Sequence, residues 1–272
     1  MALERQEKYC IALVQMNGEF LNVQLNRQKA EAAVQEAAQN GARLICFPEA
    51  LLTGYCADRM REACGFAETR DRQNISGLRK LAKEYGVYLL IPFLEKRSEG
   101  VFNSAVLVDD MGEEIGTYSK THLIEGEKDC LLAGDRLTVW DTPLGRISCL
   151  ICYDICFPET ARHLALLGTE LILVPAAWGS ARYYRAWWDL NIACRALDNL
   201  VYIAAVNRPE GNGAPFAGRS KVCDPVGTVI SQCGDSGEEI LYAQIDLQRI
   251  GLERASNTVL DDLRPGLYEF RQ

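Results

Sequence analysis

Three polar residues suited to nucleophilic catalysis each follow an apolar run that is typical of a buried strand. Glu49 follows RLICF, Lys120 lies near the end of EIGTYSKTH, and Cys152 ends RISCLIC. Burying an unpaired charge is costly, so a carboxylate and an ammonium that converge on a thiol would satisfy each other. The carboxylate could then take the thiol proton, and the ammonium could hold the oxyanion of a tetrahedral intermediate. The alternative is that Glu49 and Lys120 are surface residues at strand ends, which is the usual location of these residue types.

Cys152 lies at the point where a buried strand turns toward a helix. The run 146–151 is apolar and free of Pro and Gly, and the stretch PETARHLALLG then has a helical pattern. Open α/β sheets bind ligands at such strand ends, and a thiol there can have its pKa lowered by backbone amides and nearby cations. The alternative is that Cys152 is a small buried apolar residue, as Cys149 is expected to be.

The two histidines offer a Cys–His arrangement as a rival. His122 is two residues from Lys120, but the sequence gives it no orienting partner. His163 lies in the helical pattern after Cys152, where an i,i+4 pair with Glu159 is a sufficient explanation. The sequence contains no GxSxG elbow, no GxGxxG and no Walker A stretch, so serine catalysis and nucleotide binding have no support.

The composition of the 272-residue chain excludes several classes of protein. Lys and Arg number 29 against 37 Asp and Glu, a net charge of -8, which argues against a nucleic-acid partner because that partner needs a basic face. No run approaches the roughly 18 apolar residues of a membrane span, and the charged N-terminus does not resemble a signal peptide. We therefore expect a soluble cytoplasmic protein with a single domain over residues 1–272.

The spacing of the eleven cysteines fits neither a disulfide framework nor a metal site. Most of them lie inside apolar runs, as Cys10, Cys46 and Cys194 do, whereas disulfide frameworks belong to small secreted domains. Cys149 and Cys152 have CxxC spacing, but no second pair of ligands accompanies them. We therefore expect no metal and no cofactor. A thiol-redox or metal-sensing protein is the competing class, which metal analysis and thiol titration would test.

Alternating strand and helix patterns predict an α/β fold. Helical patterns cover 26–39, 75–85, 184–199 and 247–255, together with the helix after Pro158. Strand patterns cover 9–15, 43–47, 87–92, 101–108, 114–122, 137–141, 146–151, 170–176, 201–207, 220–224, 229–231 and 239–246. This order predicts a layered sandwich in which two sheet layers are enclosed by helices.

Several stretches together resemble the nitrilase superfamily of carbon-nitrogen hydrolases. FPEALLTGY, YSKTHL and ICYDICFPE look like its three signature stretches, in that family's order, and RALDNLVYIAAVN, GRSKVCDP and the RPGLY tail extend the resemblance along the chain. The resemblance implies a four-layer αββα sandwich, often paired across subunits into an eight-layer dimer. It therefore implies a homodimer or higher homo-oligomer, with the tail from about 247 to 272 and the edges of the helix 184–199 as the dimer seam.

The resemblance also assigns roles to single residues. The family's base matches Glu49, its lysine Lys120 and its nucleophile Cys152. Its second glutamate is best matched by Glu127 in GEKDCLLAGD, which would orient the substrate nitrogen or the lysine. Glu125 is the competitor, because Ala133 replaces the Pro that usually precedes the following Gly-Asp.

The implied mechanism is hydrolysis through a thioester. Glu49 takes the proton of Cys152, and the thiolate attacks an amide carbonyl. Lys120 and the backbone N–H of Tyr153 hold the oxyanion. Ammonia or an amine leaves, and a water activated by Glu49 then hydrolyses the thioester. Because all three triad positions match, an inactive binding homologue is the weaker alternative.

The residues around the cysteine distinguish branches of the superfamily. Cys152-Tyr153-Asp154 resembles the amidase and carbamoylase branches, whereas true nitrilases usually have Trp-Glu after the cysteine. The branches that need a second domain or membrane spans are disfavoured. An amidase of small amides and an N-carbamoyl amide hydrolase remain. Carbamoylases often place an arginine where Ala177-Trp178 stand here, which mildly favours the amidase.

The substrate pocket is expected to be built from loops that follow the strands. Arg182 or Arg185 could bind a substrate carboxylate bidentately. The alternative for the aromatic residues is packing of the long helix, particularly for Trp187 and Trp188. The candidates for substrate contact are Tyr55, Phe157, Trp178, Arg182 and Tyr184.

Overall fold

The computed structural model describes residues 5–211 and 215–268, which form two six-stranded sheets packed between helices. The strands are β1 (Lys8–Gln15), β2 (Ala42–Cys46), β3 (Tyr88–Lys96), β4 (Val101–Val108), β5 (Glu114–Ser119), β6 (Val139–Thr142), β7 (Gly145–Cys149), β8 (Leu171–Pro175), β9 (Tyr202–Val206), β10 (Lys221–Cys223), β11 (Val229–Gln232) and β12 (Glu239–Asp246). The helices are α1 (Val23–Gln39), α2 (Met60–Cys64), α3 (Gln73–Tyr85), α4 (Pro158–Leu166), α5 (Arg182–Asn199) and α6 (Leu247–Ser256), with 3₁₀ helices at Ala57–Arg59, Cys152–Cys156 and Pro265–Leu267.

Both sheets are mixed. Their strand directions follow the same pattern when the second sheet is listed from β6 to β11. The first sheet has the order β12-β1-β2-β3-β4-β5 and the second has the order β11-β10-β9-β8-β7-β6. In the first sheet β1, β2 and β3 are parallel, and in the second β7, β8 and β9 are parallel. The outer strands pair antiparallel in each sheet. The predicted αββα sandwich is therefore confirmed.

Strand β1 illustrates why the central strands are apolar on both faces. Ile11 and Leu13 are fully buried in the core that joins the two sheets, in the same cluster as Leu173 of β8. Their neighbours Ala12 and Val14 belong to the other core, where the first sheet packs on α1 and α3. A strand covered on both faces needs an apolar residue at every position, so the sequence reads as a continuous run.

Two strands end earlier than the sequence pattern predicts, because a side chain binds their last amides. β5 ends at Ser119 and not at His122, and β7 ends at Cys149 and not at Ile151. The backbone N–H groups of His122 and Ile151 donate instead to the carboxylate of Asp154, at 2.9 and 3.0 Å. Only the last predicted positions leave the ladder, since the N–H groups of Lys120 and Leu150 still donate to carbonyls of the neighbouring strands, at 2.8 and 3.0 Å.

The C-terminal part of the described chain is helical, as the sequence pattern predicts. α6 is followed by an irregular stretch and the short helix Pro265–Leu267, and residues 269–272 of the expected dimer seam lie outside the described residues. Leu190 and Leu197 on α5 and Leu252 on α6 are exposed. The oligomeric state remains a prediction. Within residues 5–211 and 215–268, no helix combines the length and the apolarity needed to cross a membrane.

Candidate active site

The two sheets bring Glu49, Lys120 and Cys152 together. Glu49 comes three residues after β2, Lys120 directly follows β5, and Cys152 comes three residues after β7 of the second sheet. Glu49 and Lys120 are fully buried, and Cys152 is 8% exposed. The Lys120 ammonium lies 2.8 Å from Glu49 Oε1. Because both charges are buried and paired, they are not surface residues at strand ends, and the alternative for this pair is wrong.

The Glu49 carboxylate is held on both of its oxygens. Oε1 accepts hydrogen bonds from Lys120 Nζ at 2.8 Å and from Asn103 Nδ2 at 2.7 Å. Oε2 accepts the backbone N–H of Ala177 at 2.9 Å. A carboxylate fixed by three donors has little rotational freedom, so its position relative to Cys152 is set before any ligand arrives.

The second glutamate beside the lysine is Glu127, and Glu125 is exposed. Glu127 Oε1 accepts hydrogen bonds from Lys120 Nζ at 2.9 Å and from the Tyr55 hydroxyl at 3.1 Å. It also accepts a longer bond from Asn103 Nδ2 at 3.3 Å. The geometry thus favours Glu127 over Glu125 as the residue that orients the lysine.

Burial and the two carboxylates set the protonation of the site. Burial disfavours the charge of Lys120, but its partners, with Glu49 first, outweigh burial and hold the pKa of Lys120 well above its ordinary value. Burial and then the Glu49 charge raise the pKa of the Cys152 thiol, against the opposing effects of Lys120 and a hydrogen bond from Ala177. The prediction of a lowered thiol pKa is therefore wrong, because desolvation exceeds the help from the cation and the amide. The thiol needs a base.

Cys152 has a backbone conformation that L-residues rarely adopt. Its φ is +50°, at the first residue of the 3₁₀ helix Cys152–Cys156. Such strain costs of order 1–3 kcal/mol and persists where the surroundings enforce it, commonly at active sites. Amides in the first turn of a helix have no partner within that helix, and the N–H of Tyr153 is one of them. This position is compatible with the predicted oxyanion contact.

Asp154 connects the lysine segment to the cysteine turn. Its fully buried carboxylate accepts hydrogen bonds from the hydroxyls of Tyr118 at 2.7 Å and Thr121 at 2.9 Å. It also accepts the backbone N–H groups of His122 and Ile151 described above, and it lies 2.9 Å from His122 Nδ1. One carboxylate therefore fixes both segments that carry the candidate catalytic residues. The sequence analysis used Asp154 only to distinguish branches of the superfamily and assigned it no such role.

The Cys–His alternative gains the orienting partner that the sequence did not provide. Asp154 binds the His122 ring, and this ring stacks on Phe157 with centroids 3.8 Å apart. Phe157 also contacts the edge of Tyr153. Phe157 thus lies beside the cysteine turn. His163 is exposed on α4 and belongs to a different cavity.

A cavity of about 770 Å³ leads to this cluster. Tyr55 and Ala177 line it and also contact the Glu127 and Glu49 carboxylates. Its other described walls combine apolar and charged side chains, among them Phe20, Phe216, Glu19, Lys29, Asp58 and Glu238. A small organic molecule with an apolar or charged end therefore has room beside Tyr55 and Ala177, which connect the cavity with the buried carboxylates.

Of the aromatic candidates after β8, Trp178 serves mainly as packing. Its side chain is buried against Trp187 and Trp188, with ring centroids 5.7 and 5.4 Å away. Its indole N–H donates to the Tyr184 carbonyl at 2.7 Å. The Tyr184 ring is 47% exposed and flanks Gly179, which lines the cavity. The packing alternative therefore describes Trp178 and Trp188, whereas Tyr184 lies near the cavity wall.

The two arginine candidates at the start of α5 differ in their partners. Arg185 is bound to the Ser180 carbonyl at 2.7 Å, to Glu210 at 2.8 Å and to Asp235, so its guanidinium is already used within the chain. Arg182 is exposed and has no hydrogen bond or ion pair with a described residue. Neither arginine is part of the described wall of the 770 Å³ cavity.

The structure adds polar residues to the site that the sequence analysis missed. Asn103 interrupts the apolar strand β4 and bridges the Glu49 and Glu127 carboxylates. Its position inside a mostly apolar strand is the sequence feature that could have identified Asn103 as a site residue. Across residues 5–211 and 215–268, no group of three or more His, Cys, Asp or Glu side chains has the arrangement of a metal site.

The chain is similar to known proteins along most of its length. The sequence profile described as carbon-nitrogen hydrolase matches residues 10–255. A nitrilase of Pyrococcus abyssi is 34% identical over 263 residues, which cover 95% of this chain and 98% of that protein. An N-carbamoylputrescine amidase of Arabidopsis thaliana is 32% identical over 270 residues, which cover 91% of this chain and 90% of that protein.

A solved amidase from Nesterenkonia sp. AN1 has the same fold. A mutant of it superposes with a TM-score of 0.83 at 26% identity, covering 96% of this chain and 95% of that one. That mutant carries the acetamide moiety of fluoroacetamide added covalently at its active-site cysteine.

Proposed function

The chain belongs to the carbon-nitrogen hydrolase family of the nitrilase superfamily, and we propose that it hydrolyses a small linear amide through a thioester on Cys152. The observation that carries this proposal is the buried contact of Lys120 with Glu49, 2.8 Å long and beside the Cys152 thiol. The 770 Å³ cavity reaches this contact through Ala177, whose N–H binds the Glu49 carboxylate. The covalent adduct at the cysteine of the Nesterenkonia amidase supports the same role for Cys152.

Acylation begins with proton transfer, because the raised pKa keeps the thiol protonated. Glu49 takes the proton of Cys152 while the sulfur attacks the amide carbonyl. Lys120, whose pKa is raised by Glu49, stays cationic and stabilises the oxyanion together with the N–H of Tyr153. Glu49 then returns the proton to the departing ammonia or amine.

Deacylation uses the same carboxylate a second time. Glu49 takes a proton from water, which attacks the thioester carbonyl, and the tetrahedral intermediate is held by the same two donors. The intermediate collapses to release the carboxylic acid and the Cys152 thiol. Glu127 keeps Lys120 in position through the 2.9 Å contact.

The first test is ammonia release from small amides, N-carbamoyl amino acids, N-carbamoylputrescine and nitriles. We expect turnover of at least one amide and its loss in Cys152→Ala, since removing a nucleophile removes the acyl-enzyme path. Cys194→Ala is the matched control, because that cysteine is exposed. Turnover that persists in Cys152→Ala would reject the nucleophile assignment. Turnover of nitriles alone would reject the amide assignment.

A second candidate, hydrolysis of an N-carbamoyl amine with a cationic tail, is favoured by the charges of the cavity. Lys29 pairs with Glu238 at 2.5 Å, which neutralises one of the cavity's carboxylates. The side chain of Asp58 has no ion pair or hydrogen bond with a described residue. The Glu19 carboxylate accepts a hydrogen bond from Asn22, and this neutral partner does not balance its charge. Two uncompensated negative charges would attract an ammonium group.

The charge of the cavity predicts how substrate preference changes in Asp58→Asn. The KM for N-carbamoylputrescine should rise about threefold, since an exposed charge pair is worth roughly 0.2–1 kcal/mol. The KM for neutral butyramide should not change, and added salt should reduce the difference between the two substrates. An equal change for both substrates would show that Asp58 acts on the shape of the cavity and not on its charge.

A further inference from the structure

Arg208 is a buried arginine that binds the backbone of the candidate base. It follows β9 by two residues and is 1% exposed. Its Nη2 donates to the carbonyl of Glu49 at 2.7 Å and to the carbonyl of Ala50 at 2.9 Å. No carboxylate of the described residues forms an ion pair with it, although buried arginines are almost always paired.

The linkage that Arg208 holds is strained. Ala50 is fully buried and has a φ of +51°, a left-handed conformation that costs a non-glycine residue free energy. Because the Arg208 guanidinium donates hydrogen bonds to two consecutive carbonyls, it fixes the orientation of the Glu49 and Ala50 carbonyls relative to each other. A Cβ at Gly18 would lie 3.1 Å from Arg208 Nη1, so this glycine leaves the space in which the guanidinium sits.

Arg208 remains charged in this place. Burial lowers the pKa of Arg208 to about 10, against the attraction of Glu49, and the side chain is therefore cationic at neutral pH. Keeping an arginine buried without a paired carboxylate is costly. A cost in stability is expected where the orientation of the Glu49 backbone serves catalysis.

We propose that Arg208 is a positioning residue, which holds the strained Glu49–Ala50 backbone so that the Glu49 carboxylate stays in place for both of its proton transfers. This inference rests on the proposed function. The Glu49 carboxylate meets Lys120 and the Ala177 N–H only if its backbone has this orientation. Because Glu49 acts in acylation and in deacylation, its displacement slows both steps and lowers kcat. Of the described cavity walls, Gly18 lies next to the Arg208 guanidinium, whereas Tyr55 and Ala177 contact the carboxylates of the site.

The test compares Arg208→Ala and Arg208→Lys with Arg254→Ala. Arg254 also binds a main-chain carbonyl, that of Thr169 at 3.0 Å, but this contact is remote from Glu49. Thr169 precedes β8, whereas Ala177, which binds the Glu49 carboxylate, follows the other end of that strand. We expect kcat to fall about a hundredfold in Arg208→Ala with little change in KM, as a displaced catalytic group does. The fall in kcat should be smaller in Arg208→Lys than in Arg208→Ala, because an ammonium retains the positive charge. It should still be measurable, because an ammonium lacks the planar donors of a guanidinium. Arg254→Ala should keep the wild-type kcat.

Chemical rescue distinguishes positioning from general support of the fold. Millimolar guanidinium chloride should restore part of kcat in Arg208→Ala, and urea or ammonium chloride should not, because only guanidinium combines the positive charge with planar N–H donors. Unchanged kcat in the folded Arg208→Ala, or an equal loss in Arg254→Ala, would overturn the inference. If Arg208→Ala does not fold, Arg208→Lys decides: a wild-type kcat would reject the positioning role.

A readout without substrate separates this inference from the proposed function. Alkylation of Cys152 by iodoacetamide, followed by mass spectrometry, needs Glu49 as a base because the thiol pKa is raised. A wild-type protein that turns over no member of the panel would reject the proposed function. Slower alkylation in Arg208→Lys or Arg208→Ala would still support the positioning of Glu49, and an unchanged rate would reject it.

Discussion

Replacing Lys120 with methionine is expected to lower kcat/KM by about a thousandfold and the free energy of unfolding by about 3–5 kcal/mol. The expected activity loss follows from the proposed role of Lys120 as an oxyanion donor. The stability loss follows because Glu49 and Glu127, 2.8 and 2.9 Å from the ammonium, would be left as buried carboxylates without their shared cation. Activity is measured on the best amide of the panel, and stability by urea unfolding.

A second substitution separates these two losses. Lys120→Met combined with Glu127→Gln removes one positive and one negative charge, so the net charge of the buried cluster returns to that of the wild type. We expect most of the stability to return and the activity to stay low, since neither substitution restores an oxyanion donor. Recovery of activity in the double variant would show that Lys120 only balances charge. Failure to recover stability would contradict the charge argument.

The sequence identified Glu49, Lys120 and Cys152 because each is a polar group next to an apolar run. Such a pattern is visible locally, since a buried strand and its end are a few residues apart. The layered sandwich was predictable for the same reason. Glu127 lies in a loop without a periodic pattern, so only the resemblance distinguished it from Glu125. The geometry adds the contacts of Glu127 with Lys120 and Tyr55.

The residues that hold the site could not be predicted, because their partners are distant in the sequence. Arg208 binds the carbonyl of Glu49, 159 positions earlier, and Asp154 binds Tyr118, 36 positions earlier. A local pattern contains no information on such pairs. The sign of the thiol pKa shift was mispredicted for a related reason: nearby amides and cations can be guessed from the sequence, but the degree of burial that outweighs them cannot.

The ends of strands were also mispredicted where side chains compete with the sheet. EIGTYSKTH has strand-forming residues up to His122, yet the Asp154 carboxylate binds the His122 amide and the strand ends at Ser119. The loss of ladder hydrogen bonds is compensated by bonds to a charged acceptor, which are stronger than neutral ones. The backbone of Lys120 stays attached to β4 through the Asn103 carbonyl, and its side chain reaches Glu49 from that fixed position.

Replacing Asp154 with asparagine is expected to lower the free energy of unfolding by about 3 kcal/mol and kcat/KM by about a hundredfold. Both Asp154 oxygens accept more than one donor, so an amide NH₂ in either position would face hydrogen-bond donors and leave them unpaired. The segments of Lys120 and Cys152 would then separate. Tyr118→Phe is the graded control, since it removes one of these donors and should cost only about 1 kcal/mol.

The same residue allows the Cys–His alternative to be tested. If Asp154 acts by tying the two segments together, His122→Gln should keep most of the activity, because the backbone N–H of residue 122 still donates to Asp154. If Asp154 instead orients an imidazole that takes the Cys152 proton, His122→Gln should be as inactive as Asp154→Asn while remaining more stable. Measuring kcat/KM and urea midpoints of both variants decides between a structural carboxylate and a catalytic pair. Because Glu49, fixed by three donors, already lies beside the thiol, we expect the first result.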